Sequence, residues 1–177
     1  MSFADAIRSC LQKYVTFSGR ASRPEYWWFV LFLIAGGIAT SILDSILFGT
    51  GTVETGPGAI SAKSENGPIS GLFSLATLLP ILAAGWRRMH DTGRSGLYLL
   101  YPLIVIVGMG TFASMAGATS AVMSGDFGAA FAGLTGIVML LSMLVFIISP
   151  LIVIWWLTRP SQPGPNTYGP NPHEVLA

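Results

Sequence analysis

Four long apolar runs, separated by short polar segments, dominate the hydrophobic pattern of this chain. A helix needs about 20 apolar residues to cross a hydrocarbon core about 30 Å thick. The runs therefore predict four transmembrane helices, at about 26–48, 69–86, 97–116 and 132–157. Each run is continuous and does not alternate every second residue, which disfavours a transmembrane barrel. We expect a single integral membrane domain over residues 1–177, with an all-α fold.

The N-terminal segment follows a different pattern, in which apolar residues recur at the spacing of one helix face. The apolar face of this helix, expected over 2–15, consists of Phe3, Ile7, Cys10, Leu11 and Tyr14. We expect this amphipathic helix to lie flat on the inner leaflet. The alternative is that it packs against the protein's own loops. The apolar run that follows is too long for a signal-peptide core, so we expect it to remain in the membrane as the first span.

Composition supports a membrane protein, and the distribution of charge predicts its orientation. Charged residues make up 10% of the chain, against about 25% in a soluble domain. Eight of the nine Lys and Arg residues lie before the first run, between the second and third, or after the fourth; the exception is Lys63. By the positive-inside rule, both termini and the tail 158–177 are expected in the cytoplasm. A net charge of +1 does not indicate a nucleic-acid partner.

The two connections on the opposite side differ in composition. The connection 49–70 is rich in Gly, Ser and Pro, and we expect it to be irregular and mobile. The tract 116–132 is nearly all Ala, Gly, Ser and Met, and it fits either a loop or extensions of the flanking helices. Small residues recur there every four positions, which lets helices approach closely, within one chain or in a homo-oligomer.

Two prolines fall inside predicted spans. Pro80 and Pro150 have no backbone N–H, so each frees the carbonyl four residues earlier, at Ala76 and Phe146. We expect a kink at each position. Neighbouring groups usually satisfy such freed carbonyls, so the kinks are not by themselves a sign of a transport pathway.

Arginines gather in two segments at the predicted cytoplasmic edge, 17–29 and 86–96. Five arginines there face only two carboxylates, so three positive charges are unmatched. The candidates for binding anionic phospholipid or a membrane-protein partner are Arg20, Arg23, Arg87, Arg88, His90 and Arg94. We expect structural support from Glu25, Asp91, Asp44 and Tyr168. The alternative is that the arginines only anchor the topology and form internal salt bridges.

No catalytic residue, metal ligand or cofactor-binding residue is predicted. His90 and Asp91 are adjacent, and adjacent helical residues do not face each other, so they do not indicate an acid–base dyad. His90 and His173 are the only histidines, and no metal-ligand spacing surrounds them. Cys10, the only cysteine, is expected to be a small apolar filler.

The tail 158–177 contains the turn signals PGPN and YGPN. Proline and glycine at this density exclude a helix, while Tyr168 and the turns favour an ordered loop. We expect this loop to fold back over the segment 86–96 and to bury Tyr168.

Several of these segments together resemble a known family. The motifs are GRASRPEYWWF, Asp44 late in the first run, RRMHDTGRSG, and PGPNTYGPNP, in this order. In this combination the chain resembles the family known as domain of unknown function 805, the YhaH-like small bacterial inner-membrane proteins. The resemblance implies a multi-pass protein of the bacterial inner membrane. It implies no accepted activity and no catalytic residue.

Three functions are compatible with this sequence. The first, which we favour, is a non-enzymatic membrane protein that holds anionic lipid or a partner protein at its arginine-rich cytoplasmic face. The second is an oligomeric transporter or channel for ions or small solutes, for which only Asp44 offers an intramembrane charge. The third is an enzyme acting on lipid headgroups, with Ser95 as the available nucleophile, although no spacing of nucleophile and base accompanies it.

Overall fold

The computed structural model describes residues 1–49, 51–56, 59–64, 67–131 and 133–174. Within these ranges the protein is mainly helical. The helices are α1 at Phe3–Gln12, α2 at Arg23–Phe48, α3 at Pro68–Asp91, α4 at Tyr101–Met115, α5 at Ala118–Met123, α6 at Phe127–Ala130 and α7 at Gly133–Thr158. A 3₁₀ turn at Gly96–Leu100 leads directly into α4.

Four of the described helices are long and apolar enough to cross a membrane: α2, α3, α4 with its 3₁₀ turn, and α7. This confirms a helical protein with four candidate spans. Ser22 caps α2 by accepting a hydrogen bond from the Glu25 amide, and Pro24 occupies its first turn. α3 continues to Asp91, well past the predicted end of the span near residue 86. The residues RRMHD therefore lie on the last turns of a helix and not in a connection.

The connection between α2 and α3 is more regular than predicted. Its glycine and serine content predicts irregular backbone, but the structure has two antiparallel strands there, β1 at Gly51–Gly56 and β2 at Ala59–Ser64. The prediction of an irregular loop is therefore wrong for these residues. Thr, Val and Ile in the two segments favour extended backbone, and the ladder satisfies backbone groups that an irregular loop would leave to water. The tract 116–132 contains the short helices α5 and α6.

The spans pack as two pairs, α2 along α3 and α4 along α7. Gly36 lets α2 approach α3 closely, because a Cβ at this position would collide with the ring of Phe73. Along most of the spans the large apolar side chains face outward: Ile46, Leu75 and Leu134 are 73%, 69% and 77% exposed. A bilayer makes such surfaces favourable, whereas water would not.

The buried apolar core lies at one end of the molecule. It consists of Cys10, Tyr26, Phe29, Ala84, Met89, Val153 and Leu157. These residues come from α1, the start of α2, the end of α3 and the end of α7. We call this end, together with the 3₁₀ turn and residues 159–174, the arginine end, because the buried arginines also lie there.

Hydroxyl groups satisfy both carbonyls that the intrahelical prolines free. The Tyr14 hydroxyl donates to the Ala76 carbonyl, which Pro80 leaves without its usual partner. The hydroxyl of Ser149, the residue before Pro150, donates to the Phe146 carbonyl at 3.1 Å, and this is the carbonyl that Pro150 leaves without its usual partner. A buried carbonyl without a hydrogen-bond partner costs about 1–3 kcal/mol. These two contacts therefore explain how the spans tolerate both prolines.

Candidate functional site

Asp91, at the C-terminal end of α3, is the centre of a buried ion-pair cluster. Its side chain is fully buried. Oδ1 accepts a hydrogen bond from Arg20 Nε at 3.0 Å, and Oδ2 accepts from Arg88 Nη1 and from the Ser161 hydroxyl, the latter at 2.6 Å. The helix places Arg88 three residues before Asp91, on the same face. One carboxylate therefore holds two guanidinium groups and the beginning of the tail.

The same two arginines bind backbone carbonyls of the C-terminal part of the chain. Arg20 donates from Nη2 to the Gln162 carbonyl at 2.6 Å and from Nη1 to the Gly164 carbonyl at 2.8 Å. Arg88 Nε donates to the Leu157 carbonyl at 3.0 Å, near the end of α7. A helix end leaves carbonyls without partners, and a cation there complements the helix dipole. Arg20 therefore holds the tail at residues 162–164, and Arg88 attaches the end of α7 to α3.

A second buried ion pair links α1, α2 and α3. Glu25 Oε1 accepts hydrogen bonds from Arg87 Nη1 at 2.8 Å and from the Ser9 hydroxyl at 3.1 Å, and Lys13 Nζ lies 3.9 Å away. Arg87 Nη2 is buried and has no hydrogen-bond partner in the described part of the chain. Burial, followed by the effect of the Glu25 carboxylate, raises the pKa of the neighbouring Cys10 thiol to about 11. Cys10 is therefore a protonated, buried thiol at neutral pH.

His90 contacts the tail and not the Asp91 carboxylate. Its ring stacks on Tyr168 with centroids 3.8 Å apart and planes 5° from parallel. Its Nδ1 lies 3.1 Å from the Gly19 carbonyl, so the tautomer that donates from Nδ1 fits this position. Tyr168 is half-buried in this arrangement. The carboxylate of Asp91 binds Arg20, Arg88 and Ser161, so the adjacent His90 and Asp91 do not act as a pair.

Asp44 lies at the opposite end of the molecule and caps α3. It is fully buried, and its two oxygens accept hydrogen bonds from the amides of Ile69 at 3.0 Å and Ser70 at 2.8 Å. Gly67, the residue before α3, has no side chain with which to cap the helix. A Cβ on Gly67 would also collide with Asp44. Asp44 thus supplies from α2 the capping group that α3 lacks.

The arginine candidates fall into two classes. Arg20, Arg87 and Arg88 are buried, at 8%, 1% and 0% exposure. The expectation that the candidate arginines form a surface needs correction for these three. Arg20 and Arg88 share the carboxylate of Asp91 and bind the tail and the end of α7, and Arg87 pairs with Glu25. Arg23 is exposed and Arg94 is half-buried.

Arg159, which in the sequence only indicates orientation, is also exposed. Its guanidinium carbon lies 4.8 Å from the ring centroid of Trp155, and that of Arg94 lies 5.1 Å from the ring centroid of Trp156. Both are cation–π contacts at the end of α7. The signal for Arg159 was available in the sequence, as an arginine closely following two interfacial tryptophans.

Comparison with known proteins assigns the family. The model of the family described as "Protein of unknown function (DUF805)" matches residues 14–129, well over half of the chain. The chain belongs to the DUF805 family. It is 38% identical to the inner membrane protein YhaI of Escherichia coli (strain K12) over 100 residues, which are 56% of this chain and 72% of that protein. It is 36% identical to the inner membrane protein YhaH of the same strain over 98 residues, 55% of this chain and 72% of that protein. No solved structure matches the chain.

The DUF805 match includes the charged residues of both buried ion pairs and excludes the tail groups that they bind. Arg20, Glu25, Arg88 and Asp91 lie within residues 14–129. Ser161 and the rest of the tail lie outside that range. Across the residues that the structure describes, no group of three or more His, Cys, Asp or Glu side chains is placed to hold a metal ion.

Proposed function

We propose that this DUF805 protein is a non-enzymatic, multi-pass protein of the inner membrane that binds anionic phospholipid at its arginine end, with both termini in the cytoplasm. The observation that carries the proposal is the division of the cations at this end. Three arginines are buried and paired with carboxylates, and the other cations are exposed or, in the case of Arg94, half-buried. The buried group builds the scaffold, and the exposed group is available to a ligand.

Charge supports the orientation. In the sequence segments at the arginine end, Lys and Arg exceed Asp and Glu by four. In the segments at the opposite end, which include Asp44 and Asp126, acidic residues exceed the single Lys63 by three. The more positive end of a membrane protein is usually cytoplasmic, and the cytoplasmic leaflet carries the negative surface potential.

Four exposed side chains and the half-buried Arg94 form this second group, which we call the basic rim: Arg8, Lys13, Arg23, Arg94 and Arg159. Lys13 lies 3.9 Å from Glu25, and the four arginines form no ion pair with a residue that the structure describes. Each cation near an anionic membrane surface contributes about 1 kcal/mol to the attraction. Trp27 and Trp28 lie beside Arg23, and Trp155 beside Arg159. Such tryptophans favour the headgroup level, which supports contact between the rim and lipid headgroups.

The contacts of Ser95 and His90 favour lipid binding rather than an enzymatic reaction on lipid headgroups. The hydroxyl of Ser95, the available nucleophile, accepts a hydrogen bond from the Leu97 amide at 3.4 Å and caps the 3₁₀ turn. His90 is stacked on Tyr168 and directed at the Gly19 carbonyl. A nucleophile needs a base within hydrogen-bond reach, and these contacts place the two groups in separate structural roles.

Lipid retention measured by native mass spectrometry tests the proposal. The protein is released from nanodiscs that contain equal amounts of phosphatidylglycerol and phosphatidylcholine, and the retained lipids are counted. We expect a clear excess of phosphatidylglycerol that declines as the salt concentration rises, because exposed charges are screened. Equal retention of the two lipids at low salt would refute the proposal.

A further inference from the structure

We propose that a recess beside the end of α7 binds one phosphate group between Arg94 and Arg159. The recess has a volume of about 370 Å³ and lies between the turn that follows α3 and the first residues of the tail. This inference rests on the proposed function and makes it more specific, because it assigns the preference for anionic lipid to one pair of arginines and not to the basic rim as a whole.

The two guanidinium groups are held in place by aromatic rings. Arg94 lies over Trp156, and Arg159 lies over Trp155. A cation–π contact restrains a guanidinium group over the ring and leaves its outward N–H donors free to bind a ligand. One donor of Arg94 binds the Thr92 carbonyl at 3.1 Å. The remaining donors suit a phosphate, whose oxygens accept paired hydrogen bonds from arginine.

The recess is positive because its lining contains two arginines and no carboxylate. The nearest carboxylate in sequence, Asp91, is fully buried, and Arg20, Arg88 and Ser161 occupy its oxygens. It therefore does not compete for Arg94 or Arg159. A phosphate in the recess would be the charge partner that the buried cluster does not provide.

The buried ion pairs also shape the recess. Arg88 Nη2 donates to the Arg159 carbonyl, and Arg20 Nη2 donates to the Gln162 carbonyl, which fixes both ends of the first tail turn. The backbone N–H of Gln162 in turn donates to the Asp91 carbonyl at 2.9 Å. The scaffold arginines thus hold the backbone that carries one of the two binding arginines, and less conformational freedom has to be lost when a ligand binds.

The expected depth of the recess relative to the bilayer favours a phospholipid as the source of the phosphate. Trp155 and Trp156 lie in the last turn of α7, where tryptophans are enriched at the headgroup level of a bilayer. A phosphate at that level belongs to a lipid headgroup. A soluble phosphate would offer the same oxygens, so the test needs one arm for each source.

The test compares two double variants from which the same charge is removed. Arg94→Gln/Arg159→Gln removes the recess pair, and Arg8→Gln/Lys13→Gln removes two exposed cations of α1. Affinity for phosphatidylglycerol is measured by lipid titration and native mass spectrometry, and inorganic phosphate is titrated separately. We expect the recess variant to lose about tenfold or more in affinity for the tightest phosphatidylglycerol, because it loses charged hydrogen bonds. The α1 variant should keep that site and lose only weaker, salt-sensitive binding.

The outcomes separate this inference from the proposed function. If both variants weaken phosphatidylglycerol binding equally, the recess is not a site, although the basic rim still binds anionic lipid. If the unmodified protein has no preference for phosphatidylglycerol, both ideas fail. Binding of inorganic phosphate that only the recess variant loses would support the site and identify a soluble source. Arg94→Lys/Arg159→Lys keeps the charge and loses the planar fork; we expect a few-fold loss in affinity, so this pair tests the site even if the glutamine pair unfolds.

Discussion

Replacing Asp91 with asparagine tests whether the buried ion-pair cluster holds the arginine end together. Asparagine has nearly the same shape as aspartate, but it has no charge and replaces one oxygen with an NH₂ group. That group would face Arg20 Nε, or else Arg88 Nη1 and the Ser161 hydroxyl, all of which donate hydrogen bonds in the native structure. The substitution therefore leaves two buried guanidinium groups without their carboxylate.

The size of the effect follows from this burial. The side chains of Arg20, Arg88 and Asp91 are at most 1% exposed. Removing one partner of a buried ion pair costs about 3–5 kcal/mol, and asparagine keeps one acceptor, so we expect about 3 kcal/mol. For a protein of this size the loss corresponds to a fall in Tm of roughly 6–12 °C.

The assay is thermal unfolding of the purified protein in detergent, with Asp126→Asn as the control. Asp126 is exposed and caps α6 by accepting from the Ala129 amide at 2.9 Å, and asparagine is an equally good cap. We expect the control to change stability by less than about 0.5 kcal/mol. Chymotrypsin should also cleave after Tyr168 faster in the Asp91 variant, because the tail is released. If the two variants unfold at the same temperature, the cluster does not stabilise the fold as argued.

Three further predictions concern the rest of the molecule. Cys10 should react slowly with a maleimide at pH 8 in the native protein and rapidly in SDS, because only the thiolate reacts and its pKa is about 11; equal rates would show that the thiol is exposed. Asp44→Ala should lower the free energy of unfolding by about 1–2 kcal/mol, since α3 loses its cap, and an unchanged Tm would contradict this role. Tyr14→Phe should cost about 1 kcal/mol by leaving the Ala76 carbonyl unpaired, whereas Tyr98→Phe, at an exposed ring, should cost nothing measurable.

The spans could be predicted from the sequence because lipid imposes a simple rule on it. Each crossing needs a continuous apolar run of about 20 residues, and such runs are visible without any knowledge of packing. The residues at which each helix begins and ends were less predictable. α3 extends to Asp91 because its last residues pack into the core of the arginine end, and residues such as Met89 are fully buried there.

The burial of the arginines could not be predicted, because it depends on contacts that are distant in the sequence. Arg20 and Asp91 are 71 residues apart, and Arg20 and Gln162 are 142 apart. A count of charges shows that five arginines face two carboxylates, but it does not show which arginines the tail covers. Composition likewise does not show that the 49–70 connection contains an antiparallel hairpin, since glycine and serine suggest a loop.

The most direct test of the central claim, that the arginine end faces the cytoplasm, is a pair of reporter fusions in a bacterial host. Green fluorescent protein folds and fluoresces in the cytoplasm, and alkaline phosphatase is active only on the other side of the inner membrane. We predict fluorescence and no phosphatase activity from reporters fused after the tail, and phosphatase activity from a reporter inserted between β1 and β2. Phosphatase activity at the tail, or fluorescence from a reporter between the strands, would contradict the account.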